Sequence, residues 1–310
     1  MKGFAGKLAV VTGGGSGMGR ELVRQLAADG CSVAACDWND GAVADSVAMA
    51  RAGAQDGVRV SGHGCDVSDE IQVQRFRDEL LREHVADHVD LVFSNAGIGG
   101  GASFLESSRE EWERTFAVDW WGTYHCARTF LPLLIASGDG VLVNTSSVNG
   151  FWASLGPRMP NSAYATAKFA IKGFTEALIE DLRTNAPQVR VALVMPGHVG
   201  TDILANTRRA HGTPKPEDMS AVRIERAFRE KGLTAAAAAT IILDEVRSGA
   251  WRILVGEDAK ALDAAVRARP DAAYDYAKLA KTAVKAAVET QASNWFAAIR
   301  SLVDSLTRND

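Results

Sequence analysis

The sequence predicts an α/β protein in which helices cover both faces of one doubly wound parallel sheet. Three observations carry this expectation. Short apolar, β-branched runs alternate with helical patterns along the first 256 residues, the order that builds such a sheet. Those runs are apolar almost without interruption, as strands buried on both faces must be. A glycine cluster separates the first strand from the first helix.

In chain order, Leu8–Thr12 reads as the first strand, residues 20–29 as a helix and 31–37 as the second strand. A helix over 42–52 stops at Gly53, and 58–66 form the third strand. Residues 69–85 carry Ile71, Val73, Phe76, Leu80 and Leu81 at helical spacing. Residues 89–94, 141–146 and 190–195 are further buried-strand runs, and 251–255 make the last strand. Between them, 116–135 and 163–183 suit long helices with apolar faces, which could also join subunits. The domain reading is one α/β unit over 1–256 and a C-terminal helical extension over 257–310. That extension is alanine-rich and punctuated by Pro270, with Val288, Ala292, Trp295, Ile299, Leu302 and Leu306 on one helix face. It is expected to pack on its own domain or on a partner subunit.

Bulk composition narrows the partners. Net charge is -4 and no lysine or arginine cluster stands out, which argues against nucleic acid. No apolar run is long enough for a membrane helix. Cys31, Cys36, Cys65 and Cys126 lack metal-ligand or disulfide-framework spacing, so no metal is expected and a reducing cytoplasm fits.

The strand before and helix after the cluster Gly13-Gly14-Gly15-Ser16-Gly17-Met18-Gly19 mark the sheet as Rossmann type. A pyrophosphate needs backbone N–H groups at a helix N-terminus and no side chains in its path. Asp37 ends the second strand 18 residues after Gly19, where a carboxylate can accept from the adenosine ribose hydroxyls. Trp38 and Asn39 bring no positive charge for a 2′-phosphate. The expected cofactor is therefore NAD. Tyr164 and Lys168, four apart in a helical stretch, share one helix face. A neighbouring ammonium favours phenolate and makes tyrosine a usable base.

These motifs together resemble the short-chain dehydrogenase/reductase family over roughly residues 6–256. The resemblance rests on Thr12-Gly-x-x-x-Gly-x-Gly19, Asp66-Val67, Asn95-Ala96-Gly97, Ser146-Ser147, Tyr164-x-x-x-Lys168 and Pro196-Gly197-x-Val199-x-Thr201, all in order. It implies that Asp66 contacts the adenine and that Asn95 supports the central strand beside the cofactor. It implies Ser147, not Ser146, as donor to the substrate oxygen and Tyr164 as acid/base. Lys168 would hold the nicotinamide ribose, and Val199 and Thr201 would contact the nicotinamide amide.

Two departures stand out. Ser147 precedes Tyr164 by 17 residues, more than is usual in the family, so a longer loop should border the substrate. Asp119 occupies a position where the family typically has an asparagine that anchors a water relay to the lysine; Asp119 is read as its substitute, with a purely structural role as the alternative. Phe151, Trp152, Leu155, Met159, His198, Ile203 and Leu204 are the expected substrate contacts and suggest a lipophilic secondary alcohol or ketone. Arg208, Arg209 and Lys215, with Pro214 and Pro216, read as an exposed, mobile lid whose basic pair is solvated. A homodimer or homotetramer is the expected assembly. Two alternatives stay open: an NAD-dependent epimerase or dehydratase, and a non-catalytic NAD(H)-binding sensor or scaffold.

Overall fold

The computed structural model describes residues 3–100, 103–154, 161–213, 219–275 and 278. Its first half runs β1 (Leu8–Thr12), α1 (Gly17–Ala28), β2 (Ser32–Asp37), α2 (Asp40–Ala52), β3 (Val60–Gly64), α3 (Glu70–His84) and β4 (Leu91–Ser94). Then come α4 (Arg109–Phe116), a π-helical turn (Ala117–Trp121), α5 (Gly122–Ala136), β5 (Gly140–Thr145), a 3-10 turn (Val148–Gly150) and α6 (Ser162–Asn185). The remainder comprises β6 (Val189–Pro196), β7 (Val199–Gly200), α7 (Ile203–Ala210), α8 (Met219–Lys231), β8 (Leu233–Thr234), α9 (Ala235–Ser248), β9 (Arg252–Val255) and α10 (Glu257–Ala268).

Seven strands pair in parallel in the order β3-β2-β1-β4-β5-β6-β9. The fold is thus the doubly wound Rossmann-type sheet that the apolar runs predict. Alternation still decides which way each side chain points. Ala9 and Val11 of β1 join a core with α1, α2 and α9, around Leu22, Leu26, Val47, Ile242 and Leu243. Leu8 and Val10 join the opposite core with α3, α5 and α6, around Phe76, Leu80, Phe130 and Leu182. Both cores exclude water from β1, so its five residues are all buried.

Strand order reverses between β1 and β4, and a ligand crevice opens beyond the C-terminal ends of the strands at such a switch point. Local capping sets the helices around it. Asn39 accepts from the Ala42 N–H to start α2, and Ser108 accepts from the Glu111 N–H to start α4. The first helix starts at Gly17, three residues before the predicted start, because the glycine loop itself supplies its first turn.

Of the C-terminal extension, α10 packs against the body: Leu262, Ala265, Val266 and Ala273 enclose Trp152. Arg252 of β9 pairs with Asp263 of α10 through both guanidinium nitrogens. The face formed by Val288, Ala292, Trp295, Ile299, Leu302 and Leu306 lies outside the described residues. Among the described residues, no helix is long and apolar enough to cross a membrane.

Candidate active site

The ends of β1 and β4 are tied together before the glycine loop departs. Thr12 Oγ1 accepts the N–H groups of Asn95 and Ala96 at 3.0 and 3.1 Å, and Asn95 Nδ2 donates to the Thr12 carbonyl at 3.1 Å. Gly13 then turns with φ +65, a left-handed conformation that favours glycine, and a Cβ there would lie 2.8 Å from Ala96 Cα. At Gly19 a Cβ would approach the Gly13 carbonyl oxygen to 2.0 Å. The loop therefore lies against the start of α1, whose first turn has backbone N–H groups without intrahelical partners. A cleft of about 800 Å³, open mouth included, lies beside it. Such a cradle fits a dinucleotide: helix N-terminus, close backbone and no obstructing side chain.

The predicted cofactor residues Gly13, Ser16, Gly17, Met18 and Gly19 line this cleft, as do Asp37, Asp66, Val67, Asn95, Ala96, Gly97 and Thr201. Tyr164, Lys168, Pro196, Gly197 and Val199 do not. Pro196 ends β6, and Val199 is buried in the core beside β8. A Cβ at Gly197 would meet the Asp258 carboxylate of α10 at 2.2 Å.

Two acidic side chains in the cleft have protein partners already. Asp37 accepts from the Gly15 and Asn39 N–H groups, both at 3.0 Å, and burial pushes its carboxyl above the usual range. The Asp66 carboxylate takes the Ser68 N–H and hydroxyl on one oxygen and Arg114 on the other at 2.8 Å. Burial opposes ionisation there, but these hydrogen bonds prevail and hold Asp66 below its ordinary value. Arg114 itself lines the cleft. The sequence reading missed it, although Ser108-x-x-Glu111 is a legible start for the helix that carries it.

Next to Gly97 of the cleft lining, the 3-10 turn after β5 and the start of α6 bring three predicted groups together. Ser147 hydrogen-bonds the half-buried Tyr164 hydroxyl and also accepts from the Asn149 N–H at 3.1 Å. Its neighbour Ser146 is committed elsewhere, donating to the Lys168 carbonyl at 2.7 Å. Lys168 Nζ lies 5.2 Å from the centre of the Tyr164 ring and donates to the Thr145 carbonyl at 3.3 Å. It is also 3.5 Å from Asp119 Oδ2. Burial is the main influence on Tyr164 and raises it above its ordinary value; Lys168 and Ser147 pull the other way, and Asp119 adds to the rise.

The predicted substrate residues separate. Leu204 lines a second cavity of about 380 Å³ with Trp112, Thr207, His211 and Ala163, the residue that precedes Tyr164. Ile203 faces the cofactor cleft. Trp152 is buried against α10, where its indole donates to the Ala273 carbonyl at 2.8 Å, and Phe151 packs beside it. His198 packs its ring 4.3 Å from that of Phe228 and hydrogen-bonds the Phe228 carbonyl at 2.7 Å. Leu155 and Met159 lie outside the described residues.

α7 crosses above the cleft on three polar anchors. Asn206 donates to Ser16 at 3.1 Å, the Gly99 N–H donates to Thr207 at 2.6 Å, and His211 meets Thr115 at 3.2 Å. None of its residues is buried. Of the basic pair read as solvated, Arg208 is instead engaged, pairing with Glu225 of α8, while Arg209 is exposed and donates to Asn206 at 3.0 Å. Pro214, Lys215 and Pro216 lie outside the described residues.

Comparison with known proteins agrees with this architecture. A family model described as short chain dehydrogenase matches residues 7–212. SadH of Mycobacterium tuberculosis, named as an oxidoreductase, is 35% identical over 267 residues, covering 86% of this chain and 92% of its own. Meso-2,3-butanediol dehydrogenase of Serratia marcescens is 31% identical over 230 residues, covering 71% of this chain and 86% of its own. A short chain dehydrogenase/reductase from Burkholderia phymatum, solved in complex with NAD, superposes with a TM-score of 0.76. It is 33% identical, and the match covers 88% of this chain and 95% of that one. With the glycine cradle, the Ser147–Tyr164–Lys168 cluster and these relatives in agreement, the chain belongs to the short-chain dehydrogenase family of nicotinamide-dependent oxidoreductases.

Proposed function

We propose that the chain interconverts a secondary alcohol and a ketone with NAD as hydride carrier. The observation that carries this reading is the hydrogen-bonded pair Ser147–Tyr164 with Lys168 beside the ring, next to Gly97 in the lining of the glycine-loop cleft. The nicotinamide, when bound, supplies or accepts the hydride. The Ser147 and Tyr164 hydroxyls orient and polarise the substrate oxygen. Tyr164 moves the proton to or from that oxygen, and the Lys168 charge eases formation of phenolate.

The preference for NAD rests on Asp37, a carboxylate at the cleft that a 2′-phosphate would approach as a like charge. The glycine loop, Asp66-Val67, Asn95-Ala96-Gly97 and Thr201 would hold the cofactor. The cavity beside Ala163 supports the substrate class: Trp112, Ala163 and Leu204 suit an apolar skeleton, and its threonines suit the polar end. The Serratia relative named above and a mouse relative, (3R)-3-hydroxyacyl-CoA dehydrogenase, 33% identical over 199 residues, both bear names of secondary-alcohol substrates. Residues 1–256 would form the catalytic unit and 257–310 a helical extension, in a cytoplasmic homodimer or homotetramer.

The test follows nicotinamide absorbance with NAD or NADP over a graded panel of secondary alcohols, for wild type and Tyr164→Phe. Turnover is expected with NAD on bulky apolar alcohols, and the variant should lose it by roughly 100- to 10,000-fold while still binding NADH. Equal turnover with NADP would remove the Asp37 argument. NADH binding without any turnover would favour the sensor or scaffold alternative.

A further inference from the structure

Asp119 and Lys168 form a buried pair of opposite charge beside the proton-transferring tyrosine. The π-helical turn Ala117–Trp121 joins α4 to α5 and carries Asp119, which is 0% exposed. Such turns inside helices are frequent at functional sites. Asp119 Oδ1 accepts the Ile98 N–H at 2.8 Å. Oδ2 is buried without a hydrogen-bond partner and lies 3.5 Å from the Lys168 ammonium. A Cβ on Gly97 would come within 3.1 Å of both side chains, so the backbone there leaves the space this pair occupies.

Two opposite charges this close largely cancel each other's field at a third group. Lys168 alone would favour the phenolate of Tyr164; Asp119 disfavours it. We propose that Asp119 acts as a positioning residue that offsets the Lys168 charge and keeps Tyr164 a phenol through the neutral range. The site would then donate a proton for ketone reduction at neutral pH and accept one for alcohol oxidation only under alkaline conditions. This rests on the hydride-transfer reading above. In reduction, the Tyr164 O–H bond breaks and its proton joins the ketone oxygen. A reduced nicotinamide dinucleotide is the reductant that supplies the hydride to carbon, and solvent restores the phenol.

The surroundings of Tyr164 agree with that balance. Its burial, the largest influence, and Asp119 both oppose its ionisation, whereas Lys168 and Ser147 favour it. Burial likewise raises Asp119, with Lys168 and the Ile98 N–H opposing. In the adjoining cavity the ionisable groups are Glu111 of α4, Arg208 of α7, His211 at its C-terminal end, and Glu225 of α8. Arg208 and Glu225 pair with each other, and His211 is held by Thr115.

Asp119→Asn can keep the bond from Ile98 while removing the charge. Ionisation of Tyr164 is read in the cofactor-free protein as a phenolate ultraviolet difference spectrum, with the Tyr164→Phe spectrum subtracted. The pH profile of kcat/KM for alcohol oxidation is measured in parallel. Both are expected to move acid-ward by about one pH unit. Asp119→Ala should move them equally and lose thermal stability as well, because it also leaves Ile98 without its acceptor. If Asp119→Asn ionises Tyr164 at the wild-type pH, or if only Asp119→Ala shifts it, the proposal is overturned. Should neither variant fold, Lys168→Met gives the converse test. It leaves the Asp119 charge unopposed and must push the phenol further up; an unchanged phenol overturns the proposal. A shifted phenol in a protein that turns over no alcohol supports the charge balance and refutes the catalytic reading alone.

Discussion

The two sides of the cofactor cleft are built by different physics. The lower wall, from β1 through the glycine loop into α1, is fixed by burial: Val10, Val11, Leu22, Val23 and Leu26 are at most 1% exposed. The upper wall, α7, buries no residue and is held by Asn206, Thr207 and His211 through hydrogen bonds. Burying one leucine is worth about 1.5–3 kcal/mol, whereas one neutral hydrogen bond nets about 1 kcal/mol. The lower wall therefore opens only when the protein unfolds, and the upper wall opens at much lower free energy. A dinucleotide bound between them is expected to leave from the α7 side.

The largest expected effect strikes the fixed wall. Leu22→Ala should destabilise the protein by roughly 2–5 kcal/mol in urea unfolding, because α1 and the sheet cannot collapse around the lost volume. Gly19→Ala forces a methyl group towards the Gly13 carbonyl oxygen. It should weaken NADH binding about 100-fold in a fluorescence titration, the equivalent of overpacking strain near 3 kcal/mol. Thr207→Val removes the acceptor for the Gly99 N–H but keeps the side-chain shape. NADH dissociation, timed by displacement in stopped flow, should quicken roughly fivefold with little change in unfolding free energy. Ile203→Ala, on the unburied helix, should alter stability by less than about 0.5 kcal/mol. A loss from Ile203→Ala as large as that from Leu22→Ala would erase the distinction between the two walls.

The same contrast explains what the sequence disclosed. The strands β1, β2, β4, β5 and β6 were legible because burial on both faces makes each an apolar run. The glycine loop was legible because backbone approach leaves no alternative residue at positions such as Gly19. The anchoring of α7 was not legible, because the bond from Asn206 to Ser16 and that from the Gly99 N–H to Thr207 leave no periodic trace. Trp152 was read as a substrate wall because an apolar loop residue does not reveal which apolar partner it will meet; here that partner is α10. Arg114 was hidden for a similar reason, since its partner Asp66 lies 48 residues earlier in the chain.

One contact links the site to the order in which the chain is made. The His198 N–H, in the turn that follows β6, donates to Asp258 at 2.6 Å, across 60 residues. As a ribosome extends the chain from the N-terminus, the glycine loop, Ser147, Tyr164 and Lys168 all emerge before the acceptor for this turn exists. The dinucleotide cradle can thus assemble early, while the turn leading to Thr201 and α7 waits for the first residues of α10. Cofactor present during translation would meet the fixed wall first and the completed roof last.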